Sequence, residues 1–219
     1  MKTIAMIPAR AGSKRLPGKN TRDFFGWPVI AFPITVALQS ACFNEVMVST
    51  DSPRIAEIAC RYAATVPFLR SAAAASDTAG DVKVIREVLN AYAQRQQYFD
   101  AFCWIYPVTP LITPEALQEG FHRLQAGVDS VVPVLPDGSD PGQWYWCRTD
   151  SFWAYGEPPC GLCDRMMISW AEGQDVNTEA DWQALETKYQ ERKLCSTGKT
   201  AQSSSPAARA LSASAACRR

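Results

Sequence analysis

The chain has 219 residues, 47% of them hydrophobic, enough for one globular domain with a substantial core and too short for two full domains. Its 22 basic and 22 acidic residues cancel, so no global field draws it to nucleic acid or to an anionic membrane, and any anion must be gripped locally. The eight cysteines lie mostly in apolar runs such as Ala101-Phe102-Cys103-Trp104 and do not read as a secreted disulfide framework. Arg10 interrupts the first apolar run too early for a signal-peptide core, and no later segment is long and apolar enough to span a bilayer, so the expectation is a soluble, cytoplasmic protein.

In chain order, Thr3 to Ile7 is an apolar run ended by Pro8, which suits a buried first strand. Glu45 to Ser49 and Ala101 to Tyr106 have the same character. Between them Ile55, Ile58, Ala59 and Tyr62 share one helical face, as do Ile85, Val88, Leu89 and Tyr92. Helix starts are marked by Asp51 or Ser52 ahead of Pro53, by Thr113 ahead of Pro114, and by Thr178 with Asp181 three residues on. Asp51 is read as a helix cap rather than a ligand contact. Alternating strands and helices predict an α/β fold, a mostly parallel sheet with helices on both faces, whose ligands bind at the carboxyl ends of the strands.

Beyond Lys193 the composition turns to Ser, Ala, Thr and Arg without periodicity, so residues 194–219 are expected to be a disordered tail after a single domain, 1–193. Cys160-Gly161-Leu162-Cys163 lacks two further ligands for zinc and sits in a proline-rich loop, which argues against a metal or redox module. His122, the lone histidine, is expected to be exposed on a helix.

The segment after the first strand, Pro8-Ala9-Arg10-Ala11-Gly12-Ser13-Lys14-Arg15-Leu16-Pro17-Gly18-Lys19-Asn20, concentrates cations and two glycines in one connection. Glycine lets backbone amides approach an anion closely, while Arg10, Lys14, Arg15 and Lys19 supply charge suited to a triphosphate. A solvated basic loop is the alternative. It is neither a Walker loop nor a Gly-x-Gly-x-x-Gly turn, because the glycines are separated by five residues and Asn follows Lys19.

The run from Ile7 to Asn20 resembles the signature of the acylneuraminate cytidylyltransferase family. Val48-Ser49-Thr50-Asp51, Val66-Pro67-Phe68-Leu69-Arg70, Ala75-Ser76-Asp77-Thr78 and Ile105-Tyr106-Pro107-Val108-Thr109-Pro110-Leu111 agree in order and rough spacing. The Val-Pro-Phe-Leu-Arg wording and Gly142-Gln143-Trp144-Tyr145-Trp146 look most like its pseudaminic acid branch. The likeness runs continuously over residues 1–135 and in pieces over 140–192.

That resemblance implies a Rossmann-like nucleotidyltransferase domain that takes CTP and Mg²⁺, joins CMP to the anomeric hydroxyl of a nine-carbon keto-sugar acid and releases pyrophosphate. Position by position, it implies that Arg10, Ser13, Lys14, Lys19 and Asn20 hold the triphosphate and ribose. Arg70 and Ser76 would enclose the cytidine, and Tyr106, Gln143 and Tyr145 would approach the sugar. Lys19, Arg10 and Asp175 are the implied catalytic groups. Asp175 and position 177 are the implied metal ligands, and two residues apart on extended chain they point the same way.

Two departures qualify the likeness. Position 177 is Asn where the family has a second Asp, which implies weaker metal binding and leaves a CTP-binding protein of low or no activity as the alternative function. The family's projecting dimer arm has only Pro136 to Gly142 in its place, which implies a weakened homodimer.

Overall fold

The computed structural model describes residues 1–12, 16–76 and 78–197. Thr3–Pro8 forms β1, and after a 3₁₀ turn at Lys19–Thr21 the two short strands Asp23–Phe24 (β2) and Trp27–Pro28 (β3) make a small hairpin. Ala31–Ser40 (α1), Glu45–Ser49 (β4), Pro53–Arg61 (α2), Ala72–Ala75 (α3), Asp81–Ala93 (α4) and Ala101–Ile105 (β5) follow. Pro114–Gln125 (α5), Ser130–Val134 (β6), Trp144–Arg148 (β7), Thr149–Tyr155 (α6), Cys163–Met167 (β8) and Glu179–Thr197 (α7) complete the described chain.

The main sheet has the order β4-β1-β5-β7-β6-β8. β1 runs parallel to β4 and β5, and β6 parallel to β8; β7 alone runs antiparallel, against both β5 and β6. The expected α/β sheet is thus present, with one reversed strand that forms because the short Pro136 to Gly142 connection can return the chain but cannot carry a crossover helix. That connection closes on itself through Gly138 N–H to Leu135 O (2.8 Å) and Leu135 N–H to Ser139 O (2.9 Å).

Alternation along β1 divides the core between the two faces of the sheet. Ala5, Ile7 and Ala9 pack with Ile34, Ile55, Ala59 and Leu117 from α1, α2 and α5. Ile4 and Met6 pack with Val84, Ile85, Val88 and Leu89 of α4 and Phe152 of α6. Each of these large side chains contributes up to about 1.5–3 kcal/mol on removal from water. A third cluster, Leu16, Phe24, Val29, Val108, Leu111, Val176, Trp182 and Leu185, fastens α7 over the hairpin and the β1 connection.

The expected caps form at α5 and α7. Thr113 Oγ1 accepts from Ala116 N–H at 3.1 Å. Thr178 and Asp181 exchange bonds, with Thr178 N–H to Asp181 Oδ2 at 2.7 Å and Asp181 N–H to Thr178 Oγ1 at 3.2 Å. At α2 the cap is Ser52, which accepts from Ile55 N–H. Asp51, expected to cap that helix, instead accepts from Ala11 N–H at 2.9 Å and so anchors the β1 connection from the neighbouring strand end.

Three features go beyond the sequence reading. α7 continues to Thr197, so the first four residues of the expected tail are helical, while 198–219 lie outside the described residues. Cys147 and Cys160, thirteen residues apart, are joined as a disulfide, which removes Cys160 from any pairing with Cys163. Helix α1 carried no sequence signal, because it has no side-chain cap and apolar residues surround it. His122 is exposed on α5, as expected.

Candidate active site

Because β1, β4 and β5 are parallel, their carboxyl ends bring Arg10, Thr50 and Tyr106 to one edge of the sheet. A cleft of about 720 Å³ opens there, lined among others by Arg10, Lys19, Asn20, Arg70, Ser76, Tyr106, Tyr145, Asp175 and Asn177. Residues spread over more than 160 positions of the sequence therefore meet in one cavity.

The β1 connection turns through Gly18, whose φ of 68° is left-handed, a conformation that only glycine adopts without strain. This turn starts the 3₁₀ segment that presents Lys19 and buries Asn20. Asn20 Nδ2 donates to Arg10 O at 3.0 Å, whereas its buried Oδ1 has no hydrogen-bond partner among the described residues. A buried acceptor without a donor costs about 1–3 kcal/mol, so this amide oxygen is open to an incoming hydrogen-bond donor. Ser13 and Lys14, expected to hold the triphosphate, lie outside the described residues.

Arg70 is only 8% exposed. Its Nε donates to Ser49 Oγ at 3.0 Å and its Nη2 to Ser49 O at 2.6 Å, which fixes the guanidinium at the end of β4 with its remaining edge toward the cleft. Burial pushes its pKa down, and the nearby Asp51, Glu87 and Asp81 carboxylates oppose that shift; an arginine remains charged throughout. Ser76 Oγ donates to Ala73 O at 3.0 Å and shares the cleft lining with Arg70.

Val176 is buried in the α7 cluster, so its neighbours Asp175 and Asn177 both turn outward to the cleft. Asn177 Nδ2 donates to Asp175 Oδ2 at 2.6 Å, and the two side chains stand together as the spacing predicts. Among the described residues no group of three or more His, Cys, Asp and Glu is arranged for a metal. The donor set here, one carboxylate and one amide oxygen, still fits a hard divalent cation that takes its other ligands from phosphate and water.

Tyr106 and Tyr145 form one wall of the cleft, their rings edge to face at 5.8 Å. Burial above all, then the adjacent carboxylates, raises both phenols well beyond the ordinary tyrosine range, so each is a hydrogen-bond donor rather than an acid or base. Gln143 does not line the cleft with them: it is buried, its Nε2 donates to Glu172 O, and its backbone carbonyl accepts from Tyr106 N–H at 2.9 Å. It braces the wall from behind. Sequence reasoning missed Asp81 and Asp140, which also line the cleft; their partners lie 25 and 5 residues away, with no periodic signal to mark them.

The parallel strands and the cleft at their carboxyl ends, where cationic, amide and carboxylate side chains meet, define an α/β protein with a charged, polar ligand cleft. Residues 4–140 match the Cytidylyltransferase family, and the chain belongs to that family. It is 43% identical over 149 residues to CMP-N,N'-diacetyllegionaminic acid synthase of Legionella pneumophila, covering 68% of this chain and 63% of that protein. It is 37% identical over 123 residues to pseudaminic acid cytidylyltransferase of Campylobacter jejuni, covering 56% of this chain and 53% of that protein. The matched part thus spans about half to less than two thirds of these relatives.

Solved structures share the fold. CMP:2-keto-3-deoxy-manno-octonic acid synthetase, in a complex with CTP, superposes with a TM-score of 0.68 at 18% identity, covering 88% of this chain and 100% of that one. A cytidylyltransferase from Leptospira borgpetersenii gives 0.63 at 17% identity, covering 94% and 99%. No described helix is long and apolar enough to cross a membrane.

Proposed function

We propose that the chain transfers CMP from CTP to the anomeric hydroxyl of a nonulosonic acid and releases pyrophosphate. The observation that carries this reading is the convergence of Arg10, Lys19, Asn20 and Arg70 with Asp175 and Asn177 around one cleft, in a chain of this family. The named activities of the legionaminic and pseudaminic acid relatives support the acceptor class.

In this reaction the acceptor oxygen bonds to the α-phosphorus, the bond from that phosphorus to the β-bridging oxygen breaks, and the acceptor hydroxyl proton is released. The protein positions the attacking oxygen and offsets charge on the departing pyrophosphate. Arg10 and Lys19 hold the phosphates, Asn20 Oδ1 accepts from the ribose, and Arg70 with Ser76 encloses the base. Lys19, whose Nζ also donates to Val176 O at 2.9 Å, joins the phosphate loop to the Asp175 segment. Asp175 and the Asn177 amide would hold Mg²⁺, which supplies positive charge along the phosphates. Tyr106 and Tyr145 flank the acceptor, and Gln143 keeps them in place.

Pyrophosphate release measured with each of the four ribonucleoside triphosphates, Mg²⁺ and a panel of nonulosonic acids tests the proposal. Release confined to CTP with at least one acid is the expected result. No release with any acid, under conditions where CTP stabilises the fold against heat, refutes transfer and leaves nucleotide binding alone.

A further inference from the structure

The cleft carries charges of both signs. Arg10, Lys19 and Arg70 supply its cations, while two carboxylates with no place in the transfer chemistry above, Asp81 and Asp140, line it beside the tyrosine pair. Asp81 opens α4, and its Oδ2 accepts from Trp104 Nε1 at 3.1 Å and from the Tyr106 hydroxyl at 2.5 Å. Asp140 lies on the short connection between β6 and β7. The Tyr145 hydroxyl donates to its Oδ2 and Gly142 N–H to its Oδ1 at 2.7 Å.

Asp81, Tyr106, Tyr145 and Asp140 therefore form a continuous wall, since the two rings are in edge-to-face contact. A phenol has one proton to donate, and each of these gives it to a carboxylate. What the wall offers a ligand is thus acceptor capacity: carboxylate lone pairs, with the hydroxyl donors already engaged. Such a surface pairs strongly with O–H and N–H groups and repels an anion.

The connection carrying Asp140 is also fitted to the Asp175 segment. Gly142 has φ +61°, and a Cβ there would stand 3.1 Å from Asp175 Oδ1. The same short turn that brings Asp140 to the cleft therefore abuts Asp175 at glycine distance, so Asp140 has a fixed position relative to the reacting end rather than that of a loose loop residue.

We infer that Asp140, with Asp81 completing the wall behind Tyr106, is a specificity-determining residue for the acceptor. It accepts hydrogen bonds from hydroxyl or acylamino N–H groups of the sugar and excludes acceptors that present an anionic group there. This rests on the transfer reading above, and it assigns the short connection a recognition role in place of a mere closure of the chain.

The test uses Asp140→Ala, Asp140→Asn and the near-isosteric Asp81→Asn. KM for N,N'-diacetyllegionaminic acid and for CTP is measured on each, together with calorimetric binding of the sugar acid to the CTP-loaded protein. The expected result is a rise of about tenfold or more in the sugar acid's KM and Kd for both Asp140 variants, with CTP binding within about twofold of the parent. An unchanged sugar-acid Kd in Asp140→Ala overturns the inference, as does an equal loss of CTP affinity or a parent protein that fails to bind the sugar acid. If the parent binds but does not turn over, the transfer reading fails while the binding comparison still decides the role of Asp140.

Discussion

Lys19 Nζ donates to the carbonyl oxygen of Val176 at 2.9 Å, joining positions 157 residues apart in sequence. The bond ties the connection after β1 to the segment that carries Asp175 and Asn177. It lies beside the outer ion pair of Arg22 with Glu179, which is bidentate at 2.7 and 2.6 Å and bridges the same two parts of the chain. The cation proposed for the phosphates and the groups proposed for a metal are thus held together by bonds within the chain itself.

Replacing Lys19 by Met removes both the charge and the tie. A hydrogen bond from a charged donor is worth roughly 1.5–3 kcal/mol. Calorimetry should show Kd for CTP rising by about 10- to 100-fold in Lys19→Met. Lys19→Arg, which keeps the charge, should recover part of that loss.

Asn177→Asp restores a second carboxylate beside Asp175 and removes the amide that now donates to it. Without divalent cations the variant should melt at a lower temperature than the parent, because two carboxylates face each other with no proton between them. Titration with Mn²⁺, followed by paramagnetic resonance in the presence of CTP, should show tighter cation binding by about tenfold and recovery of the melting temperature.

Gly120 lies in α5 where a Cβ would meet the Trp144 and Trp146 rings at 2.7–2.8 Å. Both rings are fully buried and have no space to yield. Gly120→Ala should destabilise the fold by about 1–3 kcal/mol in urea unfolding, a cost of overpacking. Because β7 also carries Tyr145, acceptor KM should rise in the same variant.

Asp181 has its pKa lowered, first by the backbone N–H of Asn177 and then by the Thr178 side chain. A carboxyl group depressed in the folded state contributes stability that is fully present above its unfolded pKa of about 3.9 and is lost as pH falls through the folded value. The melting-temperature gap between the parent and Asp181→Asn should therefore be constant above about pH 5 and close progressively below pH 4.

The parallel core of the sheet was legible because β1, β4 and β5 are short apolar runs, and α2 and α4 keep clean helical stripes between them. The helix caps at Thr113 and Thr178 were legible for the same local reason. Asp51 was misread because two adjacent residues could cap one helix, and only the third dimension shows that Ser52 does so while Asp51 reaches Ala11. The reversed strand β7 depends on the geometry of its short connection. Strand alternation, which sends Trp144 and Trp146 into one core layer, would put Gln143 on the cleft side with Tyr145, but the Gln143 side chain folds back on the Glu172 carbonyl and is buried, which no local pattern in the sequence marks. Asp81 and Asp140 escaped notice because a lone acidic residue in a sequence looks like any solvated surface charge.

Single-turnover incubation with CTP labelled at the α-phosphorus, Mg²⁺ and N,N'-diacetyllegionaminic acid tests the account most directly. The predicted result is transfer of the label to a sugar nucleotide, with one unlabelled pyrophosphate formed per transfer. Label that stays in intact CTP while the protein is saturated with both ligands, across the whole panel of nonulosonic acids, would contradict it.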